Sequence, residues 1–265
     1  MGELGNSNNM AALQGLLPSS TQERLILALD GCDGEGAMAL VETIPSLCWV
    51  KVGLELFISA GPAIVTQLRR RGLQVFLDLK FHDIPATMAG ACGRAAGLGA
   101  SLLTVHASAG IEAMAMAQQS AIEAATAAGL PPPLVLAVTV LTSWQPQAFR
   151  QQLAVVDSLP DHVQHLARLA AQAGLQGCVC APQDAAQLHH QQPTMTLVTP
   201  GIRLPQTASN DQARILSPAA AMAAGATWLV VGRPISQAVD PGLVFNQICQ
   251  EITSATPILP STPTS

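Results

Sequence analysis

The 265-residue sequence predicts a single α/β domain, a (β/α)8 TIM barrel. Three observations predict it. Short β-rich runs alternate with Ala-rich stretches of helical length, giving about eight units in a core of roughly 230 residues. No break in composition divides that core. The charged side chains that interrupt the apolar runs fall at the carboxyl ends of the expected strands, where barrels of this kind keep their chemistry. Strand-helix alternation means parallel strands joined by crossovers. An open doubly wound sheet would usually carry a GxGxxG-type turn after its first strand, and "LALDGCDGEG" matches that poorly.

The first expected strand, "RLILALD", ends in Asp30, and the second, "WVKVG", carries Lys51. "GPAIVTQLRRRG" follows as a helix closed by a glycine, the expected C-cap. The third strand, "QVFLDLK", ends in an acid and a base two residues apart, Asp78 and Lys80. Side chains alternate along a strand, so both point to one face, with Leu77 and Leu79 on the other. Opposite charges on a buried-looking face are costly unless paired. They form either a structural ion pair, with Asp83 capping the next helix, or a reactive one.

The fourth strand, "SLLTVHA", brings His106, as a pocket-floor or hydrogen-bonded structural histidine. The helix "AGIEAMAMAQQSAIEAATAAG" comes next, with Met114 and Met116 as ordinary packing. "PLVLAVTVL" leads to Thr142 and Ser143. After the helix "DHVQHLARLAAQAG" come "GCVCA" and "MTLVTPGI", the latter running to Arg203. "SPAAAMAAG" precedes the last strand, "TWLVVGR", which ends in Gly232 and Arg233. His189 and His190, in the polar "LHHQQ", are expected in solvent. The domain is expected over residues 23–252, between an N-terminal tail, 1–22, and a Pro/Ser/Thr-rich C-terminal tail, 253–265.

Composition limits the function. Hydrophobic residues make up 49% and charged residues 11%, with a net charge of −5. That suits a compact protein and leaves no basic footprint for nucleic acid. Six scattered cysteines, without a CxxC pair or zinc-like spacing, read as reduced core residues of a cytoplasmic protein. No secretory signal or myristoylation pattern opens the chain, and no apolar run is long enough to span a membrane.

Lysine and arginine number only 12, yet Lys51, Lys80, Arg203 and Arg233 all stand at strand ends. In barrels the loops after strands seven and eight commonly bind phosphate through backbone N–H groups and a helix N-terminus. Gly201, Gly232 and Arg233 supply those parts, Arg233 with a planar fork of donors. The polar run "RLPQTASNDQARILS" is long enough to form a lid, with Gln212 as its best-placed amide donor. Asp30, Lys51, Asp78 and Lys80 converge on the mouth, a preorganised array suited to stabilising or protonating a carbanion. Among carboxylates Lys80 stays protonated, as a general acid rather than a Schiff-base nucleophile. His82 could join Lys80 and Asp83 in a metal site, but the adjacent lysine opposes a cation.

These blocks, "LALD", "VKVGLELF", "DLKFHDIPATM", "VTVLTS", "VTPGIR" and "VVGRPI", resemble the orotidine 5'-phosphate decarboxylases, in their order and spacing, over roughly residues 23 to 250. The D-L-K-F-H-D-I-P-x-T block is highly specific, and the likeness is to the shorter, bacterial-type branch. The resemblance implies a cofactor-free, metal-free barrel acting on a nucleotide, orotidine 5'-phosphate, as a homodimer. Lys51, Asp78, Lys80 and Asp83 would be the charged array, with Asp83 reaching the neighbouring subunit's site. Ile84 and Thr87, in the same block, would join the substrate-binding set. Asp30 and Lys51 would hold the ribose, Thr142 and Ser143 the pyrimidine amide, and Arg203, Gln212, Gly232 and Arg233 the phosphate. Ala86 departs from the block, standing where Asn is frequent. The shorter D-x-K-x-x-D pattern also fits Mg2+-dependent sugar-phosphate enzymes on the same barrel, such as keto-gulonate-phosphate decarboxylase or hexulose-phosphate synthase. "KFHDIPAT", "VLTS" and the long lid favour the nucleotide enzyme.

Overall fold

Eight parallel strands close into a barrel in the computed structural model, which describes residues 14–202 and 216–255. The strands are β1 (Leu25–Ala28), β2 (Trp49–Gly53), β3 (Gln74–Phe81), β4 (Leu102–His106), β5 (Leu134–Val138), β6 (Gly177–Val179), β7 (Thr196–Thr199) and β8 (Trp228–Val231). They pair in sequence order, and β8 returns to β1 through Leu25↔Leu229, Ile26↔Val230 and Leu27↔Val231, so no strand edge is left open. The predicted barrel is the observed one.

The helices are α1 (Gly34–Glu42), α2 (Leu54–Ala60), α3 (Ala63–Arg70), α4 (Pro85–Gly97), α5 (Ile111–Ala127), α6 (Pro146–Leu153), α7 (Leu159–Gln172), α8 (Pro182–Gln191), α9 (Pro218–Ala223), α10 (Arg233–Ser236) and α11 (Pro241–Ala255). Their ends follow from local chemistry. Asp33 caps α1 by accepting from Gly36 N–H at 2.8 Å, and Ser158 and Ser217 cap α7 and α9. The glycines expected to close four helices, Gly72, Gly129, Gly174 and Gly225, all take positive φ, between +68° and +95°. Where α4 and α5 cross, a Cβ on Gly93 would stand 2.7 Å from Ser120 Oγ, so a larger residue there would have to turn that hydroxyl aside.

Alternation along each strand divides the core in two. Leu25, Leu27, Val50, Val52, Val75, Leu77, Leu103 and Val105 face outward and pack against the helices. Ile26, Trp49, Phe76, Leu102, Leu134, Leu136, Val198 and Trp228 fill the barrel interior, where the Trp49 and Trp228 rings lie 5.5 Å apart. Burying that apolar area, at roughly 25 cal/mol per Å², is the main drive to close the sheet. The same alternation places Lys51 two residues beyond Trp49, Asp78 two beyond Phe76, and Thr104 two beyond Leu102. A polar layer therefore lies directly on an apolar floor.

Two expectations about packing need correcting. Met116 is 40% exposed, unlike the fully buried Met114, and Cys32 and Cys48 are only partly buried. All six cysteines are free. The strands stop short of several expected ends, because apolar residues such as Val140 and Leu141 continue the β-like composition into the loops of the mouth.

Candidate active site

β3 does not reach the mouth as a regular strand. It pairs with β4 through Phe76↔Leu102 and Leu77↔Leu103, and pairing resumes only at Phe81↔Val105. Asp78, Leu79 and Lys80 therefore stand opposite Thr104 alone, a bulge with two extra residues. Within it Lys80 adopts φ +51°, the left-handed region that non-glycine residues seldom occupy. Simple alternation predicted that Asp78 and Lys80 would meet; they do, but by way of this irregular backbone.

Lys80 Nζ donates to Asp78 Oδ2 at 2.8 Å, and Lys51 Nζ lies 3.6 Å from the same oxygen. Lys51 also donates to Asp30 Oδ1 at 2.8 Å. Thr104 Oγ1 donates to Asp78 Oδ1 at 3.0 Å, so both carboxylate oxygens are engaged. Burial by itself raises the Asp78 pKa, but Lys51, Lys80 and the hydroxyl of Thr104 outweigh it and hold the carboxyl below its ordinary value. Asp78 is thus a buried anion held charged by two lysines.

The Asp30–Lys51 pair needs glycine beside it. A Cβ on Gly53 would come within 2.5 Å of Asp30 Oδ1 and 2.9 Å of Lys51 Nζ.

Two joined clefts open at the strand ends. The first, about 360 Å³, is lined by Asp30, Gly31, Lys51, Glu55, Gly201, Gly232 and Arg233 among others. The second, about 180 Å³, is lined by Phe76, Asp78, Lys80, Val140, Thr142 and Cys180 among others. Asp30, Lys51, Pro200 and Val230 border both. One end of the cavity thus offers glycines and a guanidinium beside the start of α10, and the other a charged array beneath Thr142.

Not every expected residue is gathered there. Asp83, Ile84, Thr87 and Ser143 are exposed and border neither cleft. Asp83 Oδ1 accepts from Ile84 N–H at 2.7 Å. Arg203 and Gln212, with the rest of the expected lid, lie outside the described residues. His106 is partly buried, and its ring lies 5.2 Å from that of His82. Burial, then His82 and Lys80, hold its pKa below the usual imidazole value against the opposing pull of Asp78. His189 and His190 are exposed, as expected. Among the described residues, no three His, Cys, Asp or Glu side chains gather as metal ligands.

Sequence reasoning missed two residues. Glu55 borders the larger cleft and accepts from Gly31 N–H at 3.1 Å, fixing the loop that carries Asp30. Thr104 is fully buried against Asp78.

A closed parallel barrel with a lysine–aspartate–lysine array at the carboxyl ends of its strands defines a (β/α)8-barrel enzyme. The chain belongs to the orotidine 5'-phosphate decarboxylase / HUMPS family, whose model matches residues 23–248. It is 55% identical over 244 residues to the orotidine 5'-phosphate decarboxylase of Synechococcus sp. (strain WH7803), covering 92% of this chain and 99% of that one. It is 56% identical over 237 residues to the enzyme of the same name from Parasynechococcus marenigrum (strain WH8102), covering 89% and 96% respectively. The crystal structure of orotidine 5'-phosphate decarboxylase from Lactobacillus acidophilus superposes with a TM-score of 0.77 at 34% identity, covering 86% of this chain and 98% of that one.

Proposed function

We propose that this chain decarboxylates orotidine 5'-phosphate to UMP, the last step of de novo pyrimidine synthesis, without a cofactor. The observation that carries the reading is the Lys51–Asp78–Lys80 array, with Lys51 and Asp78 buried and Lys80 partly so, in a cavity whose other end is Gly201, Gly232 and Arg233. A nucleotide has matching polarity. Its phosphate suits the guanidinium and glycine end, and its pyrimidine suits the narrower end under Thr142. Asp30 and Lys51 border both clefts and so fall beside the ribose.

Breaking the bond between carbon 6 and the carboxylate leaves the electron pair in the ring plane, unconjugated, so stabilisation approaching roughly 23 kcal/mol is needed. The Lys80 ammonium faces that developing charge and then transfers a proton to carbon 6, regaining one from solvent afterwards. Asp78, held anionic, lies against the departing carboxylate and disfavours the bound ground state. Phosphate contacts far from the reacting carbon contribute binding energy to positioning it.

The functional unit in this reading is a homodimer. Asp83, Ile84 and Thr87 serve the neighbouring site, which accords with their exposure and with their lining neither cleft of their own chain. Arg203 and Gln212 close over the phosphate. The six free cysteines accord with a cytoplasmic setting.

Purified protein with EDTA and no added metal is expected to consume orotidine 5'-phosphate, followed by loss of its absorbance. No turnover, with or without Mg2+, would overturn the reading, and turnover restored only by Mg2+ would overturn its metal-free chemistry. Gly53→Ala tests the ribose position. The added methyl displaces the Asp30–Lys51 pair and is expected to weaken UMP binding about tenfold, near 1.4 kcal/mol, read by titration calorimetry. Unchanged affinity would place the ribose elsewhere.

A further inference from the structure

Within the decarboxylase reading, we propose that Thr104 is a positioning residue for the reaction. Its single hydroxyl fixes both the Asp78 carboxylate and the Lys80 backbone, and so sets where the Lys80 ammonium stands. Thr104 is fully buried and is the one β4 residue opposite the bulge of Asp78, Leu79 and Lys80. A hydroxyl can donate one hydrogen bond while accepting others. Here Oγ1 donates to Asp78 Oδ1 at 3.0 Å and accepts from Lys80 N–H at 2.9 Å.

The second bond answers a need that the bulge creates. Ladder pairing lapses between Leu77 and Phe81, and a buried N–H left without an acceptor is destabilising. The hydroxyl stands in for the missing strand carbonyl at the residue whose backbone is in the left-handed region, at φ +51°. Such a conformation persists only where its surroundings hold it. Releasing Lys80 N–H lets the bulge relax, and Nζ at the end of that side chain then moves relative to carbon 6. Releasing Asp78 Oδ1 frees its carboxylate to rotate away from the shared contact with Lys80 and Lys51.

A plain packing role makes the opposite prediction, because valine has nearly the shape of threonine. Thr104→Val keeps the packing and removes both bonds; Thr104→Ser keeps both bonds and removes a methyl. The experiment measures kcat on orotidine 5'-phosphate per active site, with sites counted by UMP titration, alongside the Kd for UMP. Misplacement on the ångström scale costs up to about 100-fold in rate, so Thr104→Val is expected to lower kcat per site roughly 10- to 100-fold. UMP Kd should stay within about threefold, and Thr104→Ser should recover most of the rate. Should the valine variant fail to fold, Thr104→Cys, a weak hydrogen-bonding group of similar size, takes its place, with kcat expected at least about fivefold down. A valine variant with wild-type kcat per site, or a serine variant as slow as valine, would overturn the positioning role. Wild type inactive on orotidine 5'-phosphate would overturn the decarboxylase reading, and this role with it.

Discussion

Lys80→Ala is expected to abolish decarboxylation while leaving UMP affinity within a few-fold of wild type. The two halves of that result have different causes. UMP has no carboxylate and develops no charge at carbon 6, so the ammonium has little to stabilise in the product complex. In the proposed mechanism the transition state carries an in-plane electron pair that Lys80 both faces and protonates, so an interaction made only there is lost from kcat rather than from binding. Steady-state kinetics paired with UMP calorimetry reads both. Equal losses of binding and turnover would remove the proton-donor role.

The variant also loses one of the two lysines that hold Asp78 ionised, and this has its own pH signature. A carboxyl whose folded pKa is depressed adds stability above its unfolded value, and that stability fades as pH falls through the folded value. Without Lys80 the depression shrinks. Lys80→Ala should therefore lose stability mainly above the ordinary Asp range, and thermal melts of the two proteins should converge in acid.

The second large effect concerns Asp83, placed by our proposal in the neighbouring subunit's site. Lys80→Ala and Asp83→Ala homodimers are each expected to be inactive or nearly so. In a mixed dimer one site then carries both defects and the other carries neither. Free exchange of equal amounts makes about half the dimers mixed, so activity should rise to about a quarter of wild type per subunit, as two-fold symmetry requires. If Asp83 serves its own chain, as its short bond to Ile84 N–H would suit, every site keeps one defect. Mixtures that stay inactive after verified exchange would exclude a shared site.

Much of this architecture can be read from the sequence, for physical reasons. Crossover connections force parallel strands, and glycines at +68° to +95° mark helix ends that no other residue closes as cheaply. Lys51 and Asp78 stand out because charge is rare in apolar strands, and alternation carries each from an interior aromatic, Trp49 or Phe76, to the mouth. The bulge was invisible because regular alternation already puts Asp78 and Lys80 on one face, so nothing in the pattern called for two extra residues. Thr104 was hidden for a related reason. Threonine is an ordinary β-branched strand residue, and its value lies in a partner strand's irregularity. Glu55 sits on a helix after its strand, where an acidic residue in the first turn has a local explanation. Arg203 and Gln212 fall outside the described residues.

The apolar floor made by Trp49, Phe76 and Trp228 puts the charged array next to the clefts at the strand ends. Those side chains are almost wholly shielded from solvent and packed together beneath the polar layer. In the proposed reaction, nucleotide, carbon dioxide and the protons that recharge Lys80 all pass through the clefts at the strand ends. A nucleotide seated there would stand between Lys80 and solvent, so in the proposed reaction each turnover would begin with the proton that Lys80 already holds.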